Sequence, residues 1–304
     1  MTLRFLKHTF HYFLAFIICA SSAYADMAKG IAAFKMKDYE TALKEFRTPA
    51  EQGEAEAQLS LGVIYEAGYS VSQDFEEAAK WYLAAAEQGN DFAQYNLAGL
   101  YRKGQGVERN YKSAAEWLKK SADQGNTLAQ FNLGLTYKNG LGVERDYALA
   151  MKWYREAAVK HHPKAQYNLA NMYYDGLGSD KDMTRAIEWY LLSAEAGYVG
   201  AQYKLGKLYQ SGETLEKDIT KSIKWYRAAA EQGYPQASHA LGMIYAKGNG
   251  VYQKHPTAYV WFKIATIKDF DDANINLMAS AKLMTADQIA ASDKIAEEWM
   301  LNHP

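Results

Sequence analysis

GVERNYKSAAEWLKKSA, residues 106–122, returns thirty-six residues later as GVERDYALAMKWYREAA, residues 142–158. Sliding the chain against itself by that interval aligns most of it. Leu61, Leu97, Leu133, Leu169, Leu205 and Leu241 share one phase, and Tyr65, Tyr101, Tyr137, Tyr173, Tyr209 and Tyr245 another. Trp81, Trp117, Trp153, Trp189, Trp225 and Trp261 form a third series, and Gly68, Gly104, Gly140, Gly176, Gly212 and Gly248 a fourth. Gln58, Gln94, Gln130, Gln166 and Gln202 run in step with them. Six copies match with no insertion or deletion. A self-similar period of ~20–50 residues marks an array of stacked supersecondary units.

Each copy carries two helix patterns. In FAQYNLAGLYRKG, Ala93, Leu97, Ala98 and Tyr101 fall on one helical face. Ala98 is small, as Gly62 and Gly134 are in the same place, which lets two helices approach closely. The turn GQGV follows, and its glycines can take positive φ and end the helix. Asn110, matched by Asp74, Asp146, Asp182 and Asp218, is an N-cap candidate for the second helix. There Ala114, Trp117, Leu118 and Ser121 form the next stripe. Gly125 closes it, as Gly53, Gly89, Gly197 and Gly233 do elsewhere; His161 replaces that glycine in one copy and predicts a different cap. One such hairpin cannot bury its stripe, whereas stacked neighbours can. The array continues at both ends. MKDYETALKEFRTPAEQG, residues 36–53, matches a second helix with Glu45 in place of the Trp, as suits a terminal cap. DDANINLMASAKL matches a first helix, and Thr285 with Gln288 predicts a capping box opening a closing helix. The expected fold is all-α, a right-handed superhelical solenoid of about eight hairpins.

The N-terminus reads MTLRFLKHTFHYFLAFIICASSAYAD. Arg4 and Lys7, a short apolar run from Phe10 to Ala20, and small residues at Ala23 and Ala25 make a cleavable secretory signal with the cut after Ala25. Cleavage removes Cys19, the only cysteine, so stability rests on packing alone. The expected organisation is a signal peptide over 1–25, an N-terminal capping hairpin over 26–53, six repeats over 54–268 and C-terminal capping helices over 269–304. The expected location is the periplasm or the exterior, without membrane insertion after cleavage, because no later stretch is apolar enough to span a bilayer. A formal net charge of -1 lacks the basic excess that neutralising phosphates requires, so nucleic acid is not an expected partner.

AQYNLAGLYRKGQGVERNYKSAAEWLKKSADQG, residues 93–125, resembles the Sel1-like repeat, a tetratricopeptide-type helical hairpin. The resemblance covers roughly residues 27–283. It departs from the family pattern at Ser70 and Thr214, where a second loop glycine is expected, so those loops should be less regular. It implies a non-catalytic adaptor or scaffold that holds a partner protein in envelope processes, in signalling or, for some bacteria, in contact with host cells. A secreted factor binding a host or cell-surface protein is the alternative. A cysteine-rich branch of the family is linked to β-lactam recognition; its hallmark cysteine pairs are absent from the mature chain.

The residues offer little chemistry of their own. Gly104/Gly106 and Gly140/Gly142 follow helices and lack the third glycine of a nucleotide loop. His161 and His162 point apart as neighbours and have no recurring ligand partner. There is no H-E-x-x-H, serine elbow or nucleophilic cysteine, and no cofactor or metal is expected. The expected partner is a protein or peptide, bound in a concave groove lined by the first helices. In the second repeat the lining positions are Phe92, Tyr95, Gly99, Arg102 and Lys103. The third contributes Leu128, Phe131, Leu135 and Lys138, and the fourth Lys164, Tyr167, Asn171 and Tyr174. The fifth contributes Tyr203, Lys207 and Gln210, and the sixth His239, Met243 and Lys247. Tyr95, Phe131, Tyr167 and Tyr203 form a ladder of rings that either meets the ligand or packs the first helices. The lysines, asparagines and glutamines around it suit a peptide of partly acidic character.

Overall fold

Helix starts follow from side chains that reach their own backbone. Asp74 Oδ1 accepts from the N–H groups of Glu76 and Glu77, both at 3.0 Å. Asn110 accepts from Ser113 at 3.0 Å, and Asp146, Asp182 and Asp218 from the residue three further on, each at 2.9 Å. Each such cap stabilises its helix by about 1 kcal/mol. The first helices end at glycines: Gly104 takes φ +70° and its N–H donates to the Leu100 carbonyl at 2.8 Å. In the computed structural model, which describes residues 25–303, these rules yield sixteen α-helices and no strand among the described residues. The expected signal peptide lies outside the described residues except for Ala25.

The chain divides into two compact units, at Glu156/Ala157. In the first, α1 (25–35) and α2 (Tyr39–Glu51) are followed by α3 (Ala55–Ala67) and α4 (Phe75–Glu87). Then come α5 (Asp91–Lys103) with α6 (Tyr111–Asp123), and α7 (Thr127–Asn139) with most of α8 (Tyr147–Ala158). The second unit holds α9 (Pro163–Asp175) with α10 (Met183–Glu195) and α11 (Val199–Ser211) with α12 (Ile219–Glu231). It ends with α13 (Pro235–Lys247), α14 (His255–Ile267), α15 (Asp272–Ala281) and α16 (Ala286–Asn302).

In each unit the apolar core forms between copies as well as within them. Ala78, Tyr82, Ala85 and Ala86 of α4 meet Ala93, Leu97 and Leu100 of α5, the first helix of the following repeat. In the second unit Tyr226 and Ala229 of α12 meet Leu241 and Ile244 of α13 and Trp261 of α14. Fully burying one such leucine or isoleucine contributes ~1.5–3 kcal/mol, and the period multiplies it.

A buried polar relay pins the repeats in register. The Gln58 amide donates to the Ala50 carbonyl of the preceding copy at 3.1 Å, and its oxygen accepts from Gln88 of its own copy at 2.7 Å. Gln94 and Gln202 do the same, donating to Ala86 and Ala194 and accepting from Gln124 and Gln232, the latter two bonds at 2.8 Å each. Gln166 donates to Ala158 at 3.2 Å, but the donor position in its copy is Ala196, and the buried Gln166 Oε1 has no partner among the described residues. A buried acceptor left unmade costs ~1–3 kcal/mol.

Two expectations change. His161 takes φ +62° and its N–H still donates to Ala158 at 3.0 Å, so the turn keeps the form that the closing glycines use. Ser70 takes φ +56°, close to the +65° of Gly106, so its loop keeps a left-handed residue there, whereas Thr214 does not adopt positive φ. The closing helices form where the sequence places them, and both pack on α14. Helix α16 packs chiefly on α14, with the Trp261 and Trp299 rings 4.9 Å apart and Lys263 Nζ 3.1 Å from Asp293. The capping box at its start is formed: Gln288 N–H donates to Thr285 Oγ1 at 3.2 Å, and Thr285 N–H to Gln288 Oε1 at 2.9 Å.

Candidate partner-binding face

The lining positions read from the sequence lie on the first helices between their core residues, and none is buried. Phe92 is 54% exposed and Leu128 44%, far beyond what a core helix leaves open. Arg102, Lys103, Lys164, Lys207 and Lys247 are exposed. Tyr95, Phe131, Leu135 and Lys138 are half-buried in the first unit, as are Tyr167, Asn171, Tyr174, Tyr203, Gln210, His239 and Met243 in the second. Several are already engaged. Asn171 accepts from the Tyr190 hydroxyl at 2.6 Å and Gln210 from that of Tyr226 at 2.8 Å. His239 Nε2 lies 3.0 Å from Asn276 Nδ2, and Lys204 Nζ sits 3.9 Å from the centre of the Tyr174 ring.

Three of the four ladder rings pack on rings of their own repeats. Tyr167 lies 5.7 Å from Tyr190 and 5.1 Å from Tyr198. Tyr203 lies 5.6 Å from Tyr226 and 5.1 Å from Tyr234, and Phe131 lies 5.9 Å from Tyr154. His239 continues the series with Phe262 at 5.5 Å and Phe270 at 5.3 Å. Tilted pairs of this kind contribute ~0.5–1.5 kcal/mol beyond their buried area.

Tyr82, Tyr154, Tyr190, Tyr226 and Phe262 hold one register position on the second helices, each opposite a small residue. A Cβ added at Gly62, Gly134, Gly206 or Gly242 would lie 2.5–2.6 Å from the facing ring. The ring therefore slides over bare backbone and its edge reaches the first-helix face. Tyr82 Oη donates to Glu66 at 2.6 Å. Burial pushes the Tyr82 hydroxyl far above the ordinary phenol range, and the Glu66 carboxylate adds to it; burial alone does the same to Tyr154. Both phenols stay neutral at physiological pH; Tyr82 uses its proton on Glu66, whereas the buried Tyr154 hydroxyl has no partner among the described residues. Burial lowers His239 below the ordinary imidazole value, with Asp272 opposing, and lowers His162, which Lys164 reinforces.

The second repeat breaks the pattern, carrying Leu118 opposite Ala98. There the first-helix face opens into a cleft of about 260 Å³, bounded by α3, α5 and α7. Tyr95, Gly99, Arg102, Lys103 and Leu135, all among the expected lining residues, border it. Glu66, Asn96, Asn132, Thr136, Asn139 and Leu141 border it too and were not singled out from the sequence. The one available signal was the break at Leu118 in an otherwise aromatic register.

Among the described residues no three His, Cys, Asp or Glu side chains gather as a metal site. His162 instead caps α9, its Nδ1 accepting from Ala165 N–H at 3.1 Å. No helix of the described residues is long and apolar enough to cross a membrane.

The Sel1 repeat model matches residues 55–90, 91–126, 127–158, 163–198, 199–234 and 235–269, well over half of the chain. Among solved structures, a Sel1 repeat protein from Oxalobacter formigenes is 33% identical, with 79% of this chain and 96% of that one covered at a TM-score of 0.71. The protective antigen c5321 of uropathogenic Escherichia coli, which displays an SLR fold, is 26% identical over 93% of this chain and 85% of its own, at a TM-score of 0.54. The C-terminal part of a TPR repeat-containing protein from Cytophaga hutchinsonii shares the fold at 14% identity and a TM-score of 0.50, over 82% of this chain and 98% of that one. No curated protein matches.

Proposed function

This chain belongs to the Sel1-repeat family, whose members are generally scaffolds for protein–protein interaction, and from that premise we propose that it is a non-catalytic adaptor of the bacterial envelope, holding a partner polypeptide on the first-helix faces of its repeats. The observation that carries this reading is the exposure of Phe92 and Leu128 on helices whose other sides are buried. The same face ends in exposed cations, Arg102 and Lys103 in the last turn of α5. Apolar anchors beside charged rims are how protein interfaces are built, and a few such residues supply most of the affinity. The envelope assignment rests on the signal-like N-terminus, with Arg4 and Lys7 before an apolar run and Ala23 and Ala25 at its end.

The test is in vivo crosslinking and capture from the native organism, comparing wild type with Phe92→Ser, Lys164→Glu and Lys207→Glu combined. These side chains are exposed, so the variant should keep its helicity. Loss of a reproducible captured protein is expected; unchanged capture by the folded variant would count against the first-helix face. The Escherichia coli relative is a protective antigen, which favours as a second reading a location on or outside the cell. Fractionation decides between the two: periplasmic release by osmotic shock supports the adaptor in the envelope, and protein in the medium supports the secreted factor.

A further inference from the structure

We propose that the cleft of the second repeat is a specificity pocket for an aromatic side chain of the partner, tyrosine or phenylalanine, presented beside a carboxylate. The proposal rests on the adaptor reading and adds what is recognised.

The cleft has the shape of a ring's place. In five of six repeats an aromatic ring from the second helix fills this place, as Tyr82 does over Gly62. In the second repeat Leu118 stops short, and the space beyond it is the cleft. Register identifies the space as a ring's. The Tyr82 hydroxyl bonds Glu66 and neighbours Asn96, and thirty-six residues on those positions are Arg102 and Asn132, both on the cleft wall. A guest ring would stand where the chain's own phenol stands elsewhere.

One ring face in this repeat is unused. Phe131, Tyr167, Tyr203 and His239 each pack on the ring of their own repeat. Tyr95 is their equivalent, and its register partners are Leu118 and Asn126, so among the described residues it has no ring partner. It is half-buried at the cleft edge, with its hydroxyl 3.4 Å from Asn132 Nδ2. A guest ring restores the pair that the other repeats make internally.

The cleft wall is also cationic. Where Tyr82 finds the acceptor Glu66 and Tyr226 finds Gln210, the cleft presents Arg102, a donor only, with Lys103 beside it. Neither has an ion-pair partner among the described residues. The nearby Glu66 is held by Tyr82. The wall therefore asks for an acceptor, and a carboxylate meets a guanidinium with two parallel bonds. That carboxylate can be the chain end of the partner or an adjacent acidic side chain.

The test uses three probes on the full chain, followed by amide chemical shifts: N-acetyltyrosine with its free carboxylate, N-acetyl-aspartyl-tyrosine amide, and neutral N-acetyltyrosine amide. Saturable shifts at Tyr95, Asn96 and Asn132 with either acid, and weaker ones with the neutral amide, are expected. The preferred acid names the source of the carboxylate. Filling the pocket from within, by Leu118→Tyr with Ala98→Gly, recreates the pair of the other repeats and should weaken binding more than about tenfold. Gly99→Phe blocks the mouth without touching the core, since a Cβ there meets nothing within 4 Å, and guards against misfolding of the first variant. Arg102→Gln should abolish the preference for acid over amide. Absence of shifts at the cleft with both acids, or equal binding by the folded filled and blocked variants, overturns the proposal. The two readings fail separately. Partner capture that survives pocket filling but not the Phe92/Lys164/Lys207 changes removes the pocket and leaves the adaptor. Probe binding with capture indifferent to that face removes the adaptor.

Discussion

The second and fifth repeats are built to the same length and helix plan and end in opposite states. In the fifth, Tyr226 lies over Gly206, its hydroxyl bonds Gln210 at 2.8 Å, and the Tyr203 ring is held between Tyr226 and Tyr234. Its first-helix face is closed by the protein's own aromatics. In the second, Leu118 over Ala98 leaves Tyr95 without a ring and a cleft of about 260 Å³ beside Arg102. The frame is the same: in both copies the glutamine relay and the Asp or Asn cap are formed. A repeat scaffold thus turns core into site by shortening one side chain, because the neighbouring copies hold the backbone in place while the space stays open.

The comparison can be broken at its most rigid point first. Tyr226→Ala should cost about 3–5 kcal/mol, the loss of a fully buried ring with cavity formation, read as a lower urea midpoint. If the fifth repeat tolerates it at little cost, the ring is not what closes that face. Next, Gly206→Ala sets a Cβ 2.5 Å from Tyr226 Cδ1. Overpacking of ~1–3 kcal/mol exceeds the ~1 kcal/mol gained in helix propensity, so a net loss on the order of 1 kcal/mol is expected. The same exchange is already present as Ala98 in the second repeat, where Leu118 makes room, and as Ala170 in the fourth, where Tyr190 still packs fully buried.

The relay sharpens the comparison from the stabilising side. Ala196→Gln restores in the fourth repeat the donor that Gln232 supplies in the fifth, and should raise stability by about 1 kcal/mol in the same urea assay. No gain would mean that Gln166 Oε1 is satisfied by solvent. The smallest effect concerns pH. Burial holds His239 below its unfolded value, so its contribution is full above about pH 6.5 and is lost as pH falls and the unfolded chain takes up the proton first. His239→Asn should flatten, without abolishing, the fall in Tm between about pH 7 and pH 5, since His162 is shifted the same way. An unchanged slope would show that the imidazole stays hydrated.

Much of this was legible in the amino-acid sequence. Repeat length, the Asp and Asn caps, the terminal glycines and the Thr285–Gln288 box depend on groups no more than a few residues apart, and each formed as read. The ladder was visible as a phase, but whether its rings faced outward or inward was not, because Tyr203 is placed by Tyr226 and Tyr234, twenty-three and thirty-one positions away. His161 was misjudged because hydrogen bonds to Ala157 and Ala158 hold the turn regardless of the side chain. The closing helix was legible as a helix, but not its seat on α14 through Trp299 on Trp261, a contact that no period announces.

Period and capping chemistry alone determined that the chain is a stack of helical hairpins with a variable first-helix face, since helix formation and its punctuation are settled over one or two turns. Which parts of that face are filled and which are open was decided only by tertiary structure. A ring's place depends on the side chain across the hairpin, on the acceptor one turn further along, and on the neighbouring copy, and Leu118 became a cleft only because Ala98, Arg102 and Asn132 left its space unfilled.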